Sequence, residues 1–329
     1  MKNSDHIRIS LIMFWIWSIM LFIPAVGWSM IASNVPGITI FGSQDDAFHL
    51  SFGPSFQIET GDMTYTIQGP EDGGWKSRLK WDLEKLFYLG GLASVRFRGK
   101  YELTAGVWKA VAGGDDGTMQ DDDWFYGDYG SSLAVQSLSD LETDGFHFNV
   151  NLRYHFRLRE GLTLSPVAGY SYTKWDWETL EGYQTSIDPL AFYVGPLEAG
   201  SIIYQEELHV PYLGLAFSGL IKSSGFGFNV YALLSLIVQC YDEDDHTLRS
   251  KLIKGDADGS FLSLGGDLRW EITKSWSIAG NVNYTRYDLN GEQEQYYYAG
   301  DYADTLFTGI DLEIEGSQTY FGLMAVYEF

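Results

Sequence analysis

The sequence predicts an all-β protein, a ten-stranded antiparallel transmembrane β-barrel with extended extracellular strands and loops. Three observations support this fold class. After residue 45, apolar residues recur at every second position, which is typical of strands with one apolar face. Aromatic residues make up 16% of the chain, as expected where strands meet both lipid and water. Short connections alternate with long acidic ones, which is the layout of an outer-membrane barrel.

The alternation is clearest in "FHFNVNLRYHF", "SWSIAGNVNYTRYDL" and the terminal "TYFGLMAVYEF". Because lipid offers no hydrogen-bond partners to backbone amides, such strands can cross a membrane only as a closed barrel. A secreted β-sandwich is the alternative, but segments such as residues 201–221 are longer than sandwich strands usually are. The predicted strands are residues 48–60, 76–90, 91–112, 144–158, 162–180, 201–221, 226–243, 255–273, 275–293 and 311–329.

The connections between these strands differ in length. Residues 159–161 ("REG") and 222–225 ("KSSG") are predicted to be short turns, whereas residues 113–143 and 181–200 are predicted to be long acidic loops. Short turns are expected at one end of the barrel and long loops at the other.

The N-terminal region predicts a targeting segment ahead of the barrel. The predicted organisation is a signal peptide at residues 1–29, a tail at residues 30–46 and the barrel at residues 47–329. Lys2 and Arg8 precede a continuous apolar segment, and small residues at Gly27 and Ser29 permit cleavage near Ser29. An uncleaved anchor is the alternative, because about 18 apolar residues can just span a bilayer.

Charge and cysteine content exclude several function classes. The net charge of −23 and the lack of a basic stripe argue against nucleic acid as a partner. The single Cys240 excludes an internal disulfide and a cysteine-based zinc cluster, and the few histidines are not at zinc-ligand spacing. Calcium stays open because carboxylates are abundant, although "DDDWFYGD" lacks the ligand period and placed glycine of a loop calcium site. We therefore expect no metal.

Two acidic stretches, "GTMQDDDWFYGD" and "CYDEDDHTLR", are the candidate functional residues. In an extended segment, residues two apart share a face, so Asp121 pairs with Asp123 and Asp244 pairs with His246. A carboxylate can orient an imidazole, and the imidazole can then take a proton from water. Two close carboxylates raise each other's proton affinity, so one of them is expected to keep a proton. The alternative is a solvated surface of an acidic protein.

The motifs "MQDDDWF", "DEDDH" and "SRLKWDL" resemble the omptins, ten-stranded outer-membrane endopeptidases of Gram-negative bacteria. Further matches occur in the same order as in the family over residues 50–329. They are "EDGGWKS", "AGYSYTK", "VPYLGL", "RSKL" and the aromatic C-terminus. The resemblance implies that Asp244 and His246 activate a water molecule, while Asp121 and Asp123 position it and manage protons on the tetrahedral intermediate. No covalent acyl-enzyme is implied.

The resemblance also implies a substrate preference. Omptins cut between basic residues and hold an arginine or lysine side chain in an acidic pocket. Asp242 maps onto one acid of that pocket, but Tyr65 stands where the family has the other acid. Asp62 or Glu59 could replace it only if the strand register shifts. The net charge of −23 suits cationic peptides.

Omptins require lipopolysaccharide, which basic residues bind on the barrel exterior. Tyr170 and Lys174 map onto this lipid site, whereas Tyr172 and Glu207 depart from the family pattern. The late lysine of the pattern falls at Ile253 or at its neighbour Lys254. The resemblance therefore implies no cofactor other than lipopolysaccharide as an activator. Use of a different lipid, or a weaker need for lipid, stays open.

Together these features predict an outer-membrane endopeptidase that cleaves peptides near basic residues, with its active site facing the extracellular side. The expected partners are cationic peptide or protein substrates and outer-membrane lipid. A catalytically inactive omptin-fold surface barrel, acting as an adhesin or structural protein, is the alternative. A small pore is the third hypothesis, although ten strands leave a narrow lumen that side chains largely fill.

Overall fold

The computed structural model describes residues 48–69, 74–111, 117–126, 132–221 and 224–329. The predicted signal peptide at residues 1–29 and the tail at residues 30–46 lie outside the described residues. Within the described ranges, no helix has the length and apolar character needed to cross a membrane.

Thirteen strands make up a single sheet. They are β1 Phe48–Gln68, β2 Trp75–Phe97, β3 Tyr101–Ala110, β4 Gly117–Phe125, β5 Leu133–Tyr154, β6 Phe156–Arg159, β7 Leu162–Ser186, β8 Gly195–Leu197, β9 Ile202–Ile221, β10 Phe226–His246, β11 Lys251–Glu271, β12 Trp276–Tyr297 and β13 Thr305–Glu328.

The sheet closes on itself, because β1 pairs antiparallel with both β2 and β13. β3 and β4 both pair with β2 on one side and β5 on the other, so together they occupy one position in the ring. β6 extends β5 and pairs with the same neighbour, β7. β8 pairs only with β7. Removing these three extra segments from the thirteen strands leaves a ring of ten positions. The predicted ten-stranded antiparallel barrel is confirmed.

The two faces of the barrel differ in chemistry. On β10, Leu234 and Leu236 point outward and are 50% and 72% exposed, while Asn229 on the inner face is buried. Farther along the same strand, the outward residues are Glu243 and Asp245. An apolar outer band followed by charge is what a barrel needs to cross lipid and project beyond it. The end of the barrel near Asp245 therefore stands outside the apolar band.

One predicted strand break is wrong. β2 continues through Gly91 to Phe97, and the turn forms where Arg98 and Gly99 have φ angles of 50° and 61°. A Cβ atom on Gly91 would lie 3.0 Å from the carbonyl oxygen of Gly53 on β1. This glycine therefore permits close approach of two strands and does not make a turn.

The long loops predicted at residues 113–143 and 181–200 are also largely wrong. β4 crosses the first range, β5 begins at Leu133, and β7 runs on to Ser186. Beyond the lipid band, outward residues need not be apolar, so the hydrophobic period disappears while the hydrogen-bonded ladder continues. Asp122 illustrates this, since its Cα partners are Arg78 on β2 and Gln136 on β5.

The difference between the two ends is nevertheless present. Close to Phe48 and Phe329, adjacent strands are joined by the short connections 98–100, 160–161, 222–225 and 272–275. At the opposite end, the connections include residues 126–132, 187–201 and 298–304. The candidate site residues lie at this second end.

Candidate active site

The two acidic stretches lie on facing walls of the barrel. Asp121 and Asp123 are buried on the inner face of β4, and Asp244 and His246 are buried at the end of β10. Arg249, in the turn that follows His246, donates from Nη2 to Oδ2 of Asp123 at 3.1 Å. This contact joins residues 126 positions apart in the chain and spans the cleft. The structure therefore brings the two predicted pairs into one site.

The Asp244–His246 couple is hydrogen-bonded as expected for an oriented imidazole. His246 Nε2 donates to Asp244 Oδ2 at 2.8 Å, since an ionised carboxylate can only accept. Nδ1 is then left as the proton acceptor. Burial lowers the pKa of His246, Lys251 and Arg249 lower it further, and the Asp244 carboxylate opposes the shift. His246 is consequently neutral near pH 7 and available as a base.

Asp121, next to Asp123, binds its proton more tightly than an ordinary aspartate. Burial and the neighbouring Asp123 carboxylate raise the pKa of Asp121 to about 7, although Arg249 and Lys251 oppose the shift. Ser77 on β2 donates from Oγ to Asp121 Oδ1 at 3.2 Å and fixes the direction of this carboxyl. Like charges held close together cannot both ionise easily, so Asp121 keeps its proton more readily than an isolated aspartate does.

Asp122, between Asp121 and Asp123, faces the other side of β4, where it accepts hydrogen bonds from side chains of the same sheet. Arg78 Nη2 donates to it at 2.5 Å, and amides of Gln120 and Gln136 also donate. Burial opposes ionisation of Asp122, but these hydrogen bonds outweigh it and lower its pKa. In the part of the chain that the structure describes, no group of three or more His, Cys, Asp or Glu side chains is arranged to hold a metal ion.

Asp242 lies two residues before Asp244 on the same inner face and next to a second acid. Its Cα partner on β9 is Glu206, which is fully buried, and neither carboxyl oxygen of Glu206 has a hydrogen-bond partner among the described residues. Burial and Asp244 raise the pKa of Asp242 to about 7, and burial together with Asp242 raises that of Glu206 well above its ordinary value. A Cβ atom on Gly255 would lie 2.4 Å from Asp242 Oδ2, so a glycine there makes room for the carboxylate.

Tyr65, Glu59 and Asp62 on β1 add no carboxylate to this pocket. Tyr65 is buried against Tyr204, with ring centroids 5.2 Å apart. Glu59 lies deeper in the barrel, where an oxygen is 3.4 Å from Nε2 of His147. Asp62 is on the other face of β1, since the side chain of the next residue points inward. In the strand register of this structure, neither Glu59 nor Asp62 therefore lies beside Asp242.

Sequence reasoning missed three charged residues that the fold adds to the site. Arg249 lies in the turn Thr247–Arg249 and not in a strand, so the period-two argument applied to the acids does not extend to it, whereas Lys251 is the first residue of β11. Lys251 is the Cα partner of His246 across the hairpin and is only 7% exposed. Glu206 gave no comparable signal, because its position depends on the register of β9 against β10.

Aromatic side chains fill the lumen beside and below these charges. Trp177 stacks on Trp81 and Trp175, with ring centroids 5.2 Å and 5.6 Å away, and Tyr204 packs on both Trp81 and Trp177. All four are buried. Rings with few rotamers give the walls of the site a fixed shape.

The residues predicted to bind lipid lie away from the cleft. The hydroxyl of Tyr170 is 2.7 Å from Nδ1 of His209, and Lys174 Nζ is 3.3 Å from a carboxylate oxygen of Asp176. Lys174 has Glu207 as its Cα partner on β9. The exterior near Lys174 therefore carries both signs of charge.

Comparisons with known proteins agree with the geometry. A model of the omptin family matches residues 49–323. The plasminogen activator of Yersinia pestis is 26% identical over 224 residues, which cover 66% of this chain and 70% of that protein. The crystal structure of the outer membrane protease OmpT from Escherichia coli aligns with a TM-score of 0.73 at 19% identity, covering 87% of this chain and 100% of that one. At this identity, the structural match concerns the fold alone.

Proposed function

This chain belongs to the omptin family, whose members are outer-membrane proteases, and we propose that it is an endopeptidase that uses water activated by Asp244 and His246. Asp121 and Asp123 face this couple and hold the water. Substrates are peptides or proteins cleaved near basic residues. The active site opens on the extracellular side of the outer membrane.

The observation that carries the proposal is the convergence of the two walls. The Asp244–His246 hydrogen bond sets up a base, and the Arg249–Asp123 contact ties the opposite acid pair to the same cleft. Each acidic stretch alone would be an ordinary charged surface. Buried together at 2% to 5% exposure, they are side chains whose desolvation needs a functional explanation.

The reaction follows from the charge states of these groups. His246 Nδ1 takes a proton from the bound water as the water oxygen attacks the scissile carbonyl carbon. Asp244 stabilises the imidazolium that forms, through the 2.8 Å hydrogen bond. The imidazolium then gives the proton to the amide nitrogen as the carbon–nitrogen bond breaks. The products are a carboxylic acid and an amine, and the protein is regenerated.

The acid pair of Asp242 and Glu206 supports a preference for basic side chains. Both carboxyls are deprived of water, and Glu206 has no hydrogen-bond partner among the described residues. An arginine or lysine side chain entering beside Asp242 would favour the ionised form of this carboxyl and gain a charge-assisted contact. Glu206 thus supplies, from β9, the second acid that Tyr65 does not supply from β1.

Lipopolysaccharide is proposed as an activator that contacts Tyr170 and Lys174 on the barrel exterior. Tyr170 lies on the apolar side of Lys174 along β7, as expected where lipid chains meet charged headgroups. Glu207 beside Lys174 weakens the attraction for an anionic lipid. Orientation of the cleft toward the outside is supported by the longer connections at the same end.

Peptide cleavage by the refolded protein in lipopolysaccharide-containing detergent tests the proposed function. We expect cleavage of peptides that contain arginine or lysine, and His246→Ala should lower kcat/KM by about 10²- to 10⁴-fold because the base is removed. The matched control is Asp245→Asn, in the same acidic stretch, whose exposed carboxylate accepts from Tyr298. It should leave cleavage unchanged. Equal activity of the His246 variant and the wild type would refute the mechanism.

A further inference from the structure

We propose that Lys251 is a further catalytic residue, whose ammonium group binds the carbonyl oxygen of the scissile bond as that oxygen becomes negatively charged. This inference rests on the proposed function, because it assigns a role within the same hydrolytic site. Sequence similarity singled out "RSKL" only as a short family echo, without a role for the lysine.

The fold places Lys251 directly beside the base. It is the first residue of β11 and the Cα partner of His246, the last residue of β10. The hairpin closes through Thr247–Arg249 and Ser250, which has a left-handed φ of 50°. Directly opposed residues of an antiparallel pair have Cβ atoms about 4.5–5.5 Å apart. Both side chains are on the inner face, so they emerge together into the cleft.

The side chain of Lys251 is largely buried, but its ammonium group makes no side-chain hydrogen bond or ion pair in the described structure. The residue is 7% exposed. Arg249, by contrast, is bound to Asp123. Nζ of Lys251 is not among the polar atoms shielded completely from solvent, so the ammonium group is open to the cleft, where a group absent from the free protein can contact it.

The surroundings of Lys251 place its charge between the two walls. It is attracted by Asp244 on its own side of the cleft and by Asp121 and Asp123 on the other, and it is repelled by Arg249. Burial, followed by Arg249, lowers the pKa of Lys251 to about 8. At neutral pH the group is still mostly protonated and can donate three hydrogen bonds.

Hydrolysis of a peptide creates a negative oxygen at the scissile carbonyl, and this oxygen needs a donor. His246 and Asp244 are engaged with the proton of the attacking water, and the Arg249 guanidinium is held by Asp123. Lys251 is therefore the cation in the described site that is free to meet the oxygen. A fixed donor of this kind typically contributes about 10²- to 10³-fold to kcat. No bond to Lys251 forms or breaks, and it holds its proton throughout.

Steady-state cleavage by Lys251→Met and Lys251→Arg, in the full refolded chain with lipopolysaccharide, tests the inference. Lys251→Met should lower kcat by about 10²- to 10³-fold with little change in KM. Lys251→Arg should restore most of the activity, and its upper pH limit should move above that of the wild type because guanidinium keeps its proton. The control is Lys274→Met, in the connection 272–275 at the far end of β11, where the side chain is exposed.

The outcomes separate this inference from the proposed function. The role of Lys251 would be overturned by any of three results: a wild-type kcat in Lys251→Met, an effect of Lys251→Met on KM alone, or an unchanged upper pH limit in an active Lys251→Arg variant. In each case the cleavage rate of His246→Ala would still test the proposed function. If Lys251→Met does not fold, the pH profile of Lys251→Arg alone decides. If the wild type cleaves no peptide, both the function and this inference fail.

Discussion

At the residue scale, the charged side chains of the cleft shift one another's pKa values. Two cations, Arg249 and Lys251, lie among the catalytic candidates and lower the pKa of His246. The same two cations limit the rise of the Asp121 pKa, which burial and Asp123 bring to about 7. The cleft thus combines an imidazole that favours its neutral form with an aspartate, Asp121, that favours its protonated form. Both properties arise from burial that exposed loops would not provide.

The pH dependence of cleavage should report the cations that act on His246. Because the pKa of His246 is lowered from 6.5, the wild type should stay active below that pH and lose activity only as the imidazole gains a proton. Arg249→Met removes a positive charge that disfavours imidazolium, so the acidic limb of the kcat/KM profile should move to higher pH. The control is Arg286→Met, whose exposed side chain lies near Glu315. An acidic limb that stays in place or moves to lower pH would contradict this account.

The individual site residues were only partly predictable. Asp121, Asp123, Asp244 and His246 were identified by their spacing and by resemblance, because each pair lies within one strand. The contribution of Glu206 could not be predicted, since the partner of Asp242 depends on how β9 aligns with β10. Pairing register is a tertiary property that one strand's sequence does not specify.

At the scale of elements, neighbouring strands build the parts of the site. β4 carries the acid pair, the β10–β11 hairpin carries the base and both cations, and β9 adds an acid beside Asp242. The sequence predicted loops where β4 and the first part of β5 lie, because the apolar period stops there. The ladder continues since its backbone hydrogen bonds do not depend on apolar side chains.

The pairing of β9 with β10 predicts how substrate preference depends on Glu206. Glu206→Gln keeps the shape but removes a carboxyl that favours a cation beside Asp242, so KM for arginine-containing peptides should rise about tenfold. Peptides that present a neutral side chain to this pocket should be affected little. The matched control is Glu207→Gln, the next residue on β9, which points outward. Equal effects on cationic and neutral peptides would refute the pocket assignment.

At the scale of the whole molecule, ring closure is what places two distant stretches in one cleft. Ten positions of antiparallel strands were predicted correctly from the period of two, from the length of the segments and from the alternation of short and long connections. The ends of the strands were not predicted correctly, because the parts of the strands that project beyond the lipid lack the alternation of apolar residues. The excess of acids, with a net charge of −23, gives the protein a negative field that attracts cationic molecules.

The central claim is that facing walls of this barrel form one catalytic unit. The most direct test is kcat/KM for Asp121→Asn, His246→Ala and the double variant with the same arginine-containing peptide. Residues that act as a unit are strongly non-additive, so the double variant should be about as slow as His246→Ala alone. A loss in the double variant equal to the product of the two single losses would mean that the walls act independently, and would contradict the account.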